Sequence, residues 1–358
     1  MKKTLIALAV LAVSGASFAQ VVVSGKLGFA YQKDSKPDAT ATVANKGFAV
    51  SDGDVGFAAT EDLGGGMSAK ADLRVKLRGR DTTVTARDAI LTLATPVGAL
   101  TAGSVEEKTL LLSGFALAND SKDGTETLVL EYTVNHDFVK FEAPVGPVKL
   151  SARYFELGYG DDGLPSTTGV SQSTAGNSTT ISGTTLGLNY SAGPVMAALD
   201  FTSYNGVAGT TLTATPKFLT NSGISSTAKA TELYDGLYRT RIVGSYDMGV
   251  AKVAAGYENR SKNLAAMYSV GVSAPVGPMV IGLNYANRAA QSSVLGNNSV
   301  ELVAAQNSRS STGLVAQYNL SKTAYVSANY VTYTGVNPAL TGSDVADKEY
   351  KIVFMKSF

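Results

Sequence analysis

Six cations lie close together in the first quarter of the chain. Lys70, Arg74, Lys76, Arg78 and Arg80 all fall on even positions, and Arg87 follows. On a strand, same-face neighbours two apart stand about 6.6–6.8 Å from one another. A row of like charges at that spacing does electrostatic rather than covalent work. In a water-filled space it draws in anions; if paired across strands, it is only a solvated face. The opposite charge gathers downstream at Glu106, Glu107, Asp120 and Asp123, with Asp54 upstream of the row. Between those acids, residues 110–117 read Leu-Leu-Leu-Ser-Gly-Phe-Ala-Leu. So apolar a stretch is expected to fold against an inner wall; the alternative is a subunit interface.

Bond-making chemistry has little support. His136 is the single histidine, and Asp137 beside it points to the other face of a regular strand. Asn119-Asp120-Ser121-Lys122-Asp123-Gly124 has the look of a calcium loop, but Leu130 stands where the bidentate Glu belongs. Asp161 and Asp162 fit a turn better than a metal site. The chain has no cysteine, hence no thiolate metal site and no disulfide framework. Phosphate-loop, dinucleotide and zinc spacings are absent. The chain reads as a non-enzyme with no cofactor and no metal.

The elements that must carry the charged row are legible around it. After Thr60-Glu61-Asp62-Leu63-Gly64-Gly65-Gly66, the polar residues Ser68, Lys70, Asp72, Arg74, Lys76 and Arg78 alternate with Met67, Ala69, Ala71, Leu73, Val75 and Leu77. Alternate residues of a strand face opposite sides, so one face is charged and the other apolar. A membrane barrel requires that pairing, lipid outside and water inside.

Targeting agrees. Lys2 and Lys3 precede an apolar run from Leu5 to Val13, then Ser17-Phe18-Ala19. This predicts a signal peptide over 1–19, cleavage after Ala19, and a barrel domain over 20–358. No later apolar run reaches the ~18 residues of a spanning helix. Mean hydropathy is +0.07 with 16% charged residues, which suits a barrel whose apolar residues are diluted by alternation. Removing Lys2 and Lys3 takes the formal net charge from +1 to about −1. There is no basic excess for nucleic acid, and any electrostatic function must come from local placement.

Strands of about ten residues alternate with short and long connections. Thr95-Pro96-Val97-Gly98, Ala143-Pro144-Val145-Gly146-Pro147 and Ala274-Pro275-Val276-Gly277-Pro278 are near copies of one turn. Pro presets φ and Gly supplies positive φ, and neither belongs inside a ladder. Long polar connections are expected near 33–46, 106–125, 160–180, 205–235, 291–308 and 335–347, with shorter ones near 79–83 and 261–263. The count is about sixteen antiparallel strands, short turns on the periplasmic side and long loops outside. Charge alternation recurs at Lys26, at Arg239 and Arg241, at Lys252, Glu258 and Arg260, and at Asn284 and Arg288. One strand breaks parity between Asp137 and Lys140, which suggests a bulge near Asp137–Phe138. Tyr31, Tyr190, Tyr246, Tyr285, Tyr318 and Tyr333 lie near strand ends, as an interfacial aromatic girdle would. Tyr350, Ile352, Phe354 and Phe358 share a face of the last strand, where Lys356 interrupts the pattern and is expected to snorkel.

These pieces in order resemble the Gram-negative general porins, above all those of β-proteobacteria. The residues that carry the resemblance are the 60–66 turn with its strand, Arg87-Asp88-Ala89-Ile90-Leu91-Thr92-Leu93, Tyr246-Asp247-Met248-Gly249, Gly271-Val272-Ser273-Ala274-Pro275-Val276-Gly277, Tyr318-Asn319-Leu320-Ser321-Lys322 and Phe358. The resemblance covers essentially the whole chain. It implies a sixteen-stranded transmembrane barrel in the outer membrane, a homotrimer, and a third loop (106–125) folded into the lumen. It implies basic residues on the wall facing acids on that loop. It also implies contact with outer-membrane lipids and lipopolysaccharide, and reading of Phe358 by the barrel assembly machinery. Arg87 matches a wall arginine, whereas Asp54, Ser104 and Gly124 stand where arginine is common, so the expected wall is less basic there. The function implied is passive diffusion of ions and small hydrophilic solutes. The alternatives are a selective channel for small organic acids and, further off, a barrel enzyme using His136.

Overall fold

The computed structural model describes residues 20–35, 46–77, 84–108, 110–112, 126, 133–158, 179–208, 211–212, 228–295, 301–303, 307–335 and 348–358. The expected signal peptide, Arg78, Arg80, Asp120, Asp123, Asp161 and Asp162 lie outside them.

Strands follow one another antiparallel: β1 (Gln20–Asp34), β2 (Lys46–Gly64), β3 (Met67–Lys76), β4 (Thr85–Thr95), β5 (Gly98–Lys108), β6 (Thr133–Val145), β7 (Val148–Gly158), β8 (Thr179–Ala192) and β9 (Val195–Gly206). A small hairpin, β10 (Thr211–Leu212) with β11 (Ala228–Lys229), and a short helix α1 (Ala230–Tyr234) interrupt them. The run continues with β12 (Tyr238–Asp247), β13 (Lys252–Arg260), β14 (Met267–Val276) and β15 (Met279–Arg288). A second hairpin joins β16 (Val294–Leu295) to β17 (Glu301–Val303), before β18 (Arg309–Ser321), β19 (Ala324–Thr334) and β20 (Lys348–Ser357). Without the two hairpins, sixteen strands form one closed barrel. Closure removes every sheet edge, as a strand structure surrounded by lipid must.

Strand β1 closes the ring against β20, from Lys26↔Ser357 to Asp34↔Glu349. Gly25 and Phe358 then exchange backbone hydrogen bonds, each 3.0 Å. A Cβ at Gly25 would meet Phe358 Cζ at 2.5 Å and the Asp54 carbonyl oxygen at 2.6 Å. Only glycine admits that ring. At the β2–β3 turn, Gly64, Gly65 and Gly66 all have positive φ (76°, 62° and 76°), a run that non-glycine residues avoid.

The two faces sort as their chemistry demands. Leu73 and Leu91 are exposed on the outside, where lipid covers them, while Lys70, Asp72, Arg74 and Lys76 line the lumen. Tyr246, Tyr285 and Tyr318 share the outward parity. Tyr333 does not: it is buried on the lumenal side beside Leu111, Met267, Ala286 and Val331, so the girdle reading fails there. Lys356 points outward, and its ammonium reaches the Thr323 hydroxyl in the adjoining turn, as snorkelling requires.

The expected bulge near Asp137–Phe138 is absent. Pairing of β6 with β5 and with β7 runs through those residues without a shift. The break in parity is real chemistry on a regular strand: Lys140 and Glu142 face the lumen, while Asp137 faces out, bonded to the Ser104 hydroxyl and opposite Glu156. A bulge does occur elsewhere. Arg74 pairs with Asp88 but Val75 pairs with Ala86, so Arg87 is the extra residue and both Arg87 and Asp88 turn inward.

Candidate functional site

The lumenal face of β1–β5 is a network of ion pairs. Lys26 contacts Asp52 and lies 3.8 Å from Asp54. Arg87 Nη1 donates to Asp54 Oδ2 at 2.8 Å and its Nε lies 3.7 Å from Asp88. Lys70 pairs with Asp72 at 2.6 Å, and Lys76 pairs with Glu106. Asp54 is 4% exposed, so it is the buried hub of this network. Arg74 differs from its neighbours. It is exposed to the lumen, its stem lies over Gly56 (3.4 Å from where a Cβ would stand), and among the described residues it has no ion-pair partner.

Glu106 and Glu107 belong to the end of β5, not to the loop. Pairing of β5 with β4 stops at Ala89↔Ser104, while pairing with β6 runs on to Lys108↔Thr133. Freed from β4, the chain turns inward. The Asp88 carboxylate takes the Glu106 N–H at 3.1 Å in place of a ladder partner, and the Glu106 side chain reaches Lys76. Glu107 accepts from Arg153 Nη1 at 3.1 Å and lies 3.4 Å from His136 Nε2. Arg153 also covers the Phe138 ring, 4.5 Å from its centroid, and the imidazole stands edge-on to Phe155 at 5.9 Å. His136 is thus held in an aromatic and ionic packing cluster.

A second basic array was not legible as a unit. Arg239 lies opposite Arg260, and Arg241 opposite Glu258. Glu258 lies opposite Met267, Met267 opposite Arg288, and Arg288 opposite Arg309. Five arginines therefore cluster on the β12–β18 wall. Glu258, fully buried, takes Arg241 Nε at 2.9 Å and Arg260 Nε at 2.7 Å. Arg288 Nη2 donates to Gln291 Oε1 at 3.1 Å, and Arg239 Nη2 to Thr202 Oγ1 at 3.2 Å. The sequence shows four of these arginines at alternate, same-face positions of their strands. It does not show the cross-strand register that aligns them.

The third loop crosses to the same wall. Leu111 packs with Met267, Ala286, Val331 and Tyr333, and Leu112 with Val243 and Ala254. All five strands concerned contribute lumenal residues, so Leu111 and Leu112 lie inside the barrel; the rest of the apolar run, 113–117, falls outside the described residues. Burying each leucine contributes about 1.5–3 kcal/mol. Glu126, which sequence reasoning passed over, is 0% exposed. It accepts the Leu112 N–H at 3.3 and 3.4 Å through its two oxygens. Burial pushes its carboxyl up to about 7, against the lowering pull of the Ser269 hydroxyl, the Leu112 N–H, Arg241 and the Leu111 N–H.

The Gram-negative porin profile matches residues 4–337. The chain belongs to that family. This porin is accordingly a non-enzymatic, passive diffusion channel of the outer membrane. No curated protein sequence matches it. Solved structures do. An anion-selective porin from Comamonas acidovorans is 17% identical, with a TM-score of 0.60, over 95% of this chain and 100% of that one. A loop-deletion mutant of OmpT from Vibrio cholerae is 13% identical, with a TM-score of 0.58, over 95% and 99%. A mutant porin of Rhodopseudomonas blastica is 10% identical, with a TM-score of 0.57, over 95% and 100%. At such identities the shared property is the barrel itself.

Proposed function

We propose that this porin passes small hydrophilic solutes and ions with a mild preference for anions, and that Arg74 carries that preference. The supporting observation is one of contrast. Lys26, Lys70, Lys76 and Arg87 each have a carboxylate partner, whereas Arg74 stands exposed in the lumen with none among the described residues. A neutralised pair contributes little field at a distance; a lone guanidinium contributes a full charge. The arginines of β12–β18 add positive potential from the facing wall, offset in part by Glu258 and by Asp200, which lies opposite Arg241. The Comamonas relative described as anion-selective agrees in sign. Asp54, Glu106 and Glu107 then serve to neutralise wall cations, and Asp120 and Asp123 to oppose them from the loop. Saturable flux of small organic acids would mark a selective channel instead.

The remaining features of this reading concern the mature assembly. Residues 1–19 are a cleaved signal peptide, and the mature barrels are homotrimers. Lipopolysaccharide surrounds the outward face, and the C-terminal strand with Phe358 is the handle for the barrel assembly machinery.

The test is reversal potential across a planar bilayer in a potassium chloride gradient. Arg74→Ala should shift the anion-to-cation permeability ratio toward cations by roughly twofold, the weight of one charge about 10 Å from the ion in water. An unchanged potential in both Arg74→Ala and the Arg74→Ala/Lys76→Ala double variant would reduce the row to a solvated face.

A further inference from the structure

Leu111 and Leu112 occupy space inside the barrel, so where they rest bears on the room left for solutes. Three observations meet there. Leu111 and Leu112 are buried to 2% and 0% exposure against a wall that is lumenal by parity. The wall is cut away beneath them: a Cβ at Gly256 would stand 3.1 Å from Leu111 Cβ and 3.6 Å from Leu112 Cδ2. The loop ties itself in place, since the Glu126 carboxylate caps the Leu112 N–H from fourteen residues further on. Cross-strand neighbours of Gly256 are Val243 and Ser269, and Ala286 follows. The seat is therefore built from small side chains around a glycine.

We propose that Gly256 and Glu126 form a latch that fixes the third loop and so sets the size cutoff for permeating solutes. Gly256 makes the seat, the two leucines fill it, and Glu126 holds the Leu112 backbone there. Both are positioning residues: neither needs to touch a solute. The latch concerns calibre, not ion preference, and stands even if Arg74 proves silent.

The test uses the full-length protein refolded into liposomes, with heat-modifiable mobility as the check on barrel folding. Swelling rates with a monosaccharide and a trisaccharide give a size ratio that barrel stability alone does not move. Gly256→Val fills the seat. Leu112→Ala empties it from the loop side, and since Leu112 lies outside the barrel strands this second variant keeps the wall intact. In both, trisaccharide permeation relative to monosaccharide should rise by about twofold or more as the loop leaves the wall. Glu126→Ala should raise the ratio too. Glu126→Gln, which keeps a carbonyl acceptor for the Leu112 N–H, should restore it toward the wild type. Ratios at or below the wild-type value in folded Gly256→Val and Leu112→Ala barrels overturn the proposal.

Discussion

Arg87 on β4 reaches past the whole of β3 to bond Asp54 on β2 at 2.8 Å. The contact is possible because Arg87 is the extra residue of a bulge, turned inward beside Asp88. Asp54 also lies near Lys26 from the other side. One carboxylate thus restrains two cations. Asp54→Asn should release both and move the reversal potential toward anions, opposite in sign to Arg74→Ala. The same change leaves a buried, half-satisfied site, so urea unfolding of the refolded barrel should show a loss of about 1–3 kcal/mol.

Lys76 offers a contrast, because its partner matters more than its own charge. Among the described residues the Glu106 carboxylate has Lys76 as its ion-pair partner, while its N–H bonds Asp88. Lys76→Ala removes a cation and frees an anion at the same place. The permeability ratio should fall toward cations about as far as in Arg74→Ala, roughly twofold, because each variant changes the local charge by one. Lys76→Ala/Glu106→Gln should recover most of it, and equal effects in the single and double variants would contradict the pairing.

Glu126 gives the channel a pH dependence with a definite sign. In the docked loop its carboxyl is lifted from the usual 4.5 to about 7 by burial; once undocked it returns to the ordinary value. Docking therefore carries a proton between those limits. The stabilisation is full below 4.5 and drains away as pH rises through 7. Open-channel noise and sub-conductance visits should increase from pH 5 to pH 8 and level off above it. Glu126→Gln should flatten the curve, and noise rising on acidification instead would reverse the assignment.

Closure makes a steric prediction. Gly25→Ala places a Cβ within 2.6 Å of the Asp54 carbonyl oxygen and on the Phe358 ring. Phe358→Ala should relieve the ring but not the carbonyl. Refolding yield should therefore drop in Gly25→Ala and recover only partly in the double variant, read by heat-modifiable mobility.

How much of this lies in the one-dimensional sequence depends on the kind of fact. The alternation from Met67 to Leu77 is legible because lipid and water impose opposite chemistry on successive residues. Turns such as Pro144-Val145-Gly146 are legible because ring closure and positive φ restrict residue type. The inward position of Leu111 and Leu112 is legible for the same reason, since the run they open is too apolar for water. Register is another matter. Nothing in Arg288 or Arg309 alone says that they sit side by side, and nothing near Tyr333 says that a loop more than two hundred positions earlier will bury it. Asp137 misled for a subtler reason. Its outward carboxylate on a regular strand breaks the charge parity just as a bulge would, and only the ladder tells the two apart. Glu126 had no local pattern; its role exists only once Leu112 has folded back to it.

The ladder from Lys26↔Ser357 to Asp34↔Glu349 also fixes an order of events. Fifteen of the sixteen seams join strands consecutive around the ring in chain order, and each can zip as an antiparallel hairpin. The sixteenth must bring together segments more than three hundred residues apart. The entropy of that encounter is recovered only after the other seams have curved the sheet enough to present its two edges to each other. Until then both β1 and β20 expose unpaired amides that hydrocarbon will not solvate. The open sheet is consequently the least tolerable intermediate in the bilayer. Gly25 and Phe358 sit where the rate of leaving it is decided.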